Sequence, residues 1–297
     1  MTLYAEKWIQ NDSHGLEMAR PRAVCLPLTA RGRVGSVSGN SARLAIAPYD
    51  LRNFVLCINS LPRQRMMKRL LLVCCLSMVA LGLRAAPPNG GEYIILVGGP
   101  SMYQWEKYKA FPHDHWWANF VRAARLRTEQ IQSQLPDTKI TWLVYKQGYV
   151  DRAKQEHQDL ISLIGTVRDK FNINLVWFGP GREVIDYLNN GQPRDQMKVV
   201  GFEFFGHSNR ACFMFDYSNN IDSATKSWLH ENDLKQISRH DFARGAYIKS
   251  WGCHTGESMS RKWYAATGTR MIGAIGKTQF MMEELPILTS DDGRWVN

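Results

Sequence analysis

Residues 199–209 read VVGFEFFGHSN and residues 247–256 read YIKSWGCHTG. Each is a short apolar run, rich in β-branched and aromatic residues, that is cut off at a glycine, and a run of that length between breakers predicts a buried strand. The residue after each glycine carries chemistry: His207 follows Gly206, and Cys253 follows Gly252. Residues 93–97, 140–145, 173–178 and 271–275 are runs of the same kind, which with 199–205 and 247–251 makes six expected core strands. Between them, apolar residues recur at helical spacing. Trp117, Phe120, Val121, Ala124 and Ile131 share one face, and Leu160, Ile164, Val167 and Phe171 another, while 183–188 and 257–266 predict shorter helices. Strands alternating with helices predict an α/β three-layer sandwich with a mostly parallel six-stranded sheet covered on both faces. In such a sheet, functional groups gather where the carboxyl ends of the strands meet loops, which is where His207 and Cys253 fall.

Outward from that centre, the whole chain has 297 residues, 44% apolar and 22% charged, with a net charge of +10. This composition excludes collagen-like, mucin-like and acidic disordered proteins. The positive charge is uneven: +5 on residues 1–65, +3 on 66–86 and only +2 on 87–297. A nucleic-acid-binding surface on the folded body is therefore not expected. Met66-Met67-Lys68-Arg69 precedes 14 uncharged residues, 70–83, and then Arg84-Ala85-Ala86-Pro87-Pro88. That is a signal-peptide pattern, its apolar run shorter than the roughly 18 residues of a bilayer-spanning helix. It predicts export to a secreted or periplasmic location, with cleavage after Gly82 or Ala85 and no stable membrane anchor. Because such a leader belongs at the start of a protein, 1–65 read as an upstream extension, either outside a chain translated from Met66 or Met67 or a disordered basic tail. The expected organisation is therefore 1–65 extension, 66–86 signal peptide and 87–297 α/β domain. Removing residues 1–86 removes Cys25, Cys57, Cys74 and Cys75 and leaves Cys212 and Cys253, too few for a disulfide scaffold. Either the two pair, or at least one is a reactive thiol.

Two strand ends delivering a His and a Cys are the parts of an acyl-transfer site. A thiol is a competent nucleophile when it is partly thiolate, and a histidine within reach can share its proton. A helix expected from about Glu257 would point its amino end at the thiolate and favour it. Gly252 and Gly256 let backbone N–H groups approach an oxyanion.

The quoted residues resemble the caspase-like cysteine peptidases, the group that includes metacaspases, legumain-type and gingipain-type enzymes and CHAT proteases. There a hydrophobic strand ends in His followed by Gly, and the next core strand ends in Cys preceded by a small residue. The matching segments here are Gly206-His207-Ser208 and Trp251-Gly252-Cys253-His254-Thr255-Gly256. His207 and Cys253 are 46 residues apart, against about 50 in caspases. The resemblance covers about 195–277 and implies a caspase-like fold, a Cys253/His207 dyad hydrolysing peptide bonds, and an oxyanion held by the N–H of Cys253 and one near Ser208, with Gly252 beside them. It implies a protein or peptide substrate and no cofactor. Two departures stand out. Ser208 occupies the position of the usual Gly, and Ser250, Trp251 and Gly252 stand where metacaspases carry an acidic residue before the Cys. Arg210 and Asp216 are candidate specificity-pocket residues, with hairpin surface positions as the plainer reading. No substrate residue preference and no oligomeric state follow.

Four other readings fit parts of the pattern. A Cys212–Cys253 disulfide would leave no nucleophile. A zinc site would use Cys253, His254, His207 and Cys212. A serine hydrolase would treat 206–210 as a nucleophile elbow, although Arg210 replaces its second glycine. A non-catalytic caspase-like module would keep the fold for binding. His113-Asp114-His115 reads as a polar loop, Gly98-Gly99-Pro100 as a turn, and Asp291-Asp292-Gly293 as a solvated turn.

Overall fold

A computed structural model describes residues 90–297, except residues 110, 112 and 282. The extension 1–65, the leader 66–86 and Cys25, Cys57, Cys74 and Cys75 lie outside the described residues. The chain runs β1 (Glu92–Val97), α1 (Tyr103–Glu106), α2 (Asn119–Gln134), β2 (Lys139–Tyr145), α3 (Lys146–Glu156), α4 (Leu160–Phe171), β3 (Asn174–Phe178), α5 (Arg182–Asn190) and β4 (Val199–Phe205). It continues through β5 (His207–Ser208), β6 (Cys212–Met214), α6 (Ile221–Ala224), β7 (Trp228–His230), β8 (Phe242–Ser250), α7 (Met259–Thr267), β9 (Met271–Ile275), β10 (Thr278–Gln279), β11 (Ile287–Leu288) and β12 (Arg294–Val296).

Seven strands form the main sheet in the order β12-β9-β8-β4-β1-β2-β3, parallel throughout except for β12, which runs antiparallel to β9. The sheet is thus one strand wider than expected, because β12 is three residues long and too short to display a two-residue alternation. The strand expected at 247–251 is the second half of β8, which starts at Phe242 and passes through Gly245 at φ +79°. Arg244-Gly245 breaks the apolar pattern there, and so hides the first half. Helix α3 was not expected at all: its sequence KQGYVDRAKQE buries only Gly148, Tyr149 and Arg152.

Side chains alternate cleanly across β1. Ile94 and Leu96 join a core with Val184, Ile185 and Leu188 of α5 and Met259 and Trp263 of α7. Tyr93, Ile95 and Val97, all but closed to solvent, face the other way, where α2 packs on β1 and β4 with Phe120, Val121, Ala124 and Ile131 buried. Strands covered on both faces read as continuous apolar runs, which is why the sequence betrayed them. The exceptions are two buried carboxylates, one per face. Glu203 of β4 accepts from Tyr93, from Arg127 Nε at 2.5 Å and from Trp251 Nε1 at 2.5 Å. Glu92 of β1 accepts from Arg194 Nη1 at 2.7 Å, Thr141 at 2.6 Å and Tyr187 at 2.8 Å. Each charge is paired and multiply hydrogen-bonded, the condition under which a buried carboxylate is tolerated.

Sheet order positions the site. From β1 the chain first winds outward through β2 and β3, then returns to add β4 on the other side of β1. The point of reversal lies between β1 and β4, and crevices at the carboxyl ends of parallel strands open at such a point. β8, carrying Cys253 beyond its end, is the next strand along.

Candidate active site

After Phe205 the chain leaves the main sheet, and His207 and Ser208 become β5 of a small antiparallel sheet, β5-β6-β7. The register pairs His207 with Met214 and Ser208 with Phe213. A segment that pairs as a strand cannot be the strand-to-helix elbow of a serine hydrolase, so Ser208 is not an elbow nucleophile.

The His207 ring is walled by aromatic groups. Tyr217 stacks on it at 4.3 Å between centroids, and Phe120 meets it edge-on at 4.9 Å. Its Nε2 lies 3.0 Å from the hydroxyl of Ser101, which is 5% exposed. Burial, and secondarily the Lys109 ammonium, holds the imidazole well below the ordinary histidine range, which favours its uncharged form. Ser101 sits on the loop leaving β1, at the reversal point. That loop is fixed by Arg152, whose Nη1 donates to the Ser101 carbonyl at 2.7 Å, and by the Tyr149 hydroxyl, which donates to the Gly98 carbonyl at 3.1 Å.

Cys253 is a free, half-buried thiol in the turn between β8 and α7. The turn is pinned to the end of β9: His254 N–H donates to the Gly276 carbonyl at 2.8 Å and Gly256 N–H to the Ala274 carbonyl at 2.9 Å. His254 takes a left-handed φ of +62°, a strained choice for a residue with a side chain. It pairs through Nδ1 with Glu257 at 2.5 Å, and that bond holds the Glu257 carboxyl below its usual range. The helix expected from about Glu257 begins only at Met259. The Cys253 sulfur accepts the Thr278 N–H at 3.3 Å, and its S–H donates to the Thr278 carbonyl at 3.6 Å, with the Thr278 hydroxyl also at 3.6 Å.

The two strand ends are tied directly. Ser208 Oγ donates to the Cys253 carbonyl at 2.8 Å. A Cβ on Gly252 would come within 2.1 Å of that same hydroxyl, so glycine is required for the close approach. Among the described residues, the ring of His207 and the thiol of Cys253 share no hydrogen bond, and the Cys253 N–H has no acceptor. In β5, Asn209 N–H donates to the Cys212 carbonyl at 3.0 Å. Bonded and non-bonded pairs alternate along an antiparallel ladder, which turns the Ser208 N–H away from β6. Both amides assigned to the oxyanion are therefore free of ladder partners.

The remaining candidates separate from this centre. Cys212 is also free, on β6 opposite His230. The Cys212–Cys253 disulfide is therefore not formed. Burial, then Asp233 and Glu231, pushes the Cys212 thiol up to about 11, which disfavours its thiolate. Asp216 accepts the Tyr145 hydroxyl at 2.9 Å and lines a pocket of about 280 Å³ with Met214, Trp228 and His230. Arg210 does not line it; it is exposed, and its carbonyl accepts the Met259 N–H that opens α7. Among the described residues no three His, Cys, Asp or Glu side chains gather to hold a metal ion. Sequence reasoning missed Ser101 and Thr278. Ser101 needed the strand order to be found, since only the structure shows that it follows a strand at the reversal point; Thr278, 25 residues beyond Cys253, had no signal. No family model, no curated protein and no solved structure matches the chain.

Proposed function

We propose that the protein is an exported cysteine endopeptidase of the caspase-like kind, with Cys253 as nucleophile and His207 as the proton carrier. The carrying observation is that a free thiol and a half-buried, uncharged imidazole leave the carboxyl ends of the adjacent parallel strands β8 and β4, joined by the Ser208 to Cys253 carbonyl bond. In this reading the thiolate attacks the peptide carbonyl, and the oxyanion takes the N–H groups of Cys253 and Ser208. His207 takes the proton of the Cys253 thiol as the sulfur attacks and passes it to the leaving amine, which departs as the C–S thioester forms. Water then gives His207 a proton as it attacks the thioester, releasing the acid and restoring the thiol. The pocket beside Asp216 receives a substrate side chain. The residues of the chain itself suffice for these steps, and the leader at 66–86 accounts for export.

One observation favours a second reading. Among the described residues, the Ser101 hydroxyl hydrogen-bonds the His207 ring, at nucleophile-to-base distance, so Ser101 rather than Cys253 would attack. Labelling with a peptidyl acyloxymethyl ketone and with a fluorophosphonate separates the two. On the cysteine reading, the ketone modifies Cys253, and Cys253→Ala loses turnover while keeping its fold. Full activity of Cys253→Ala with fluorophosphonate on Ser101 overturns it in favour of the serine. Labelling of neither residue turns the protein into a binding module.

A further inference from the structure

Among the described residues, the hydrogen bonds of the Cys253 thiol are made with a single residue across the turn, Thr278: the sulfur accepts its N–H at 3.3 Å and the S–H donates to its carbonyl at 3.6 Å, with its hydroxyl also at 3.6 Å. The register explains why that amide is available. Thr289 N–H donates to the Lys277 carbonyl at 3.0 Å, making 277–289 a bonded pair, and Thr278 is opposite Leu288 in the next position. Alternation along the ladder then points the Thr278 N–H away from β11 and towards the thiol. The hydroxyl of Thr278 donates to the Trp251 carbonyl at 2.8 Å, so the residue grips the chain two positions before Cys253 as well. Gly276, at φ +85°, turns the chain out of β9 so that β10 can reach this position. A residue with a side chain would be strained there, and its Cβ would fall 2.6 Å from the Ser290 hydroxyl. Beyond Thr278, Phe280 is buried against Phe120, with ring centroids 4.7 Å apart, and Phe120 is one wall of the His207 ring.

We propose that Thr278 is a positioning residue for the nucleophile: its backbone N–H is the donor that stays on the sulfur once the S–H proton is lost, and its hydroxyl fixes the distance through Trp251. The proposal rests on the reading of Cys253 as nucleophile. It assigns to β10 the role that neither His207 nor the start of α7 fills by direct contact. A donor aimed at a charged acceptor stabilises the charged form. The titratable groups on the surrounding elements are His254 and Glu257 in the same turn, paired with each other, Lys277 next to Thr278, and His207 beyond β4.

The test is the rate of iodoacetamide alkylation at Cys253 against pH, resolved from Cys212 by peptide mapping, in the full chain. Thr278→Pro removes the N–H without removing a ladder bond; Thr278→Val keeps the N–H and loses the hydroxyl; Thr278→Ser keeps both. At pH 6, Thr278→Pro should label about tenfold more slowly, with its midpoint shifted up by about one pH unit, the worth of one charge-assisted bond. Thr278→Val should slow about threefold, and Thr278→Ser should match the parent. A folded Thr278→Pro that labels like the parent overturns the proposal. Should that variant fail to fold, equal rates for Thr278→Val and Thr278→Ser overturn it instead. Alkylation needs no turnover, so an inactive protein with these rate differences would count against the peptidase reading and leave the role of Thr278 standing.

Discussion

The two halves of the site are held by different materials. His207 is fixed by side chains: rings of Tyr217 and Phe120 on its faces and edges, a serine hydroxyl on Nε2, and a neighbouring cavity of only about 10 Å³. Cys253 is fixed by backbone: amides of His254 and Gly256 clasped to β9, the Thr278 amide on the sulfur, and a glycine before it that lets Ser208 approach. The imidazole is thus set in a shaped pocket, whereas the thiol is set by peptide units, which have no rotamers to lose. The halves should consequently break in different ways.

The largest effect should come from removing a wall on the His207 side. Phe120 is 5% exposed and meets both His207 and Phe280, so Phe120→Ala should cost about 3–5 kcal/mol in urea unfolding, as for buried aromatic truncations generally. The same cavity admits water to the imidazole, and its titration followed by proton NMR should climb back towards the ordinary histidine range. A loss below about 1 kcal/mol with an unmoved titration would mean that the ring is not what holds His207.

On the backbone side the sensitive atom is one that is absent. In Gly252→Ala, the new methyl would collide with Ser208 Oγ at 2.1 Å and Ser208 Cβ at 2.9 Å. Overpacking of this kind costs about 1–3 kcal/mol. Ser208→Gly removes both atoms, so the double variant should recover most of that loss in a double-mutant cycle, although Ser208→Gly alone gives up the bond to the Cys253 carbonyl. Additive losses would show that the clash lies elsewhere, and would separate Ser208 from the junction.

The same division governs how much could be read from the sequence. His207 and Cys253 were legible because each ends an apolar run at a glycine, and a parallel sheet buried on both faces writes such runs plainly. Core faces were legible too: Phe120, Val121, Ala124 and Ile131 lie on one side of α2, and all are buried. What could not be read was whatever arrives from far along the chain by backbone alone. Thr278 reaches Cys253 through its N–H, a group every residue but proline has, so nothing in its identity announces the contact. Ser101 required the strand order, because only the adjacency of β1 to β4 sets its hydroxyl beside the imidazole. β12 and α3 escaped for opposite reasons: one is too short for its period to show, the other too polar for its buried face to stand out.

The smallest effect tests the comparison through pH. The unfolded chain takes a proton on His207 near pH 6.5, whereas burial makes the folded ring resist it until well below that. Between those two values the unfolded state binds more protons, so stability is unaffected by this group above about pH 6.5 and is lost as the pH falls through the window below it. For one proton the slope approaches about 1.4 kcal/mol per pH unit. His207→Gln removes the titrating ring while leaving an amide to meet Ser101, and should flatten the part of the urea-midpoint profile just below pH 6.5. Cys253→Ala, on the half built of peptide units, should leave the profile parallel to the parent's. Parallel profiles for parent and His207→Gln would mean that the imidazole is solvated in the folded protein, and the division between a side-chain half and a backbone half would fail at its first residue.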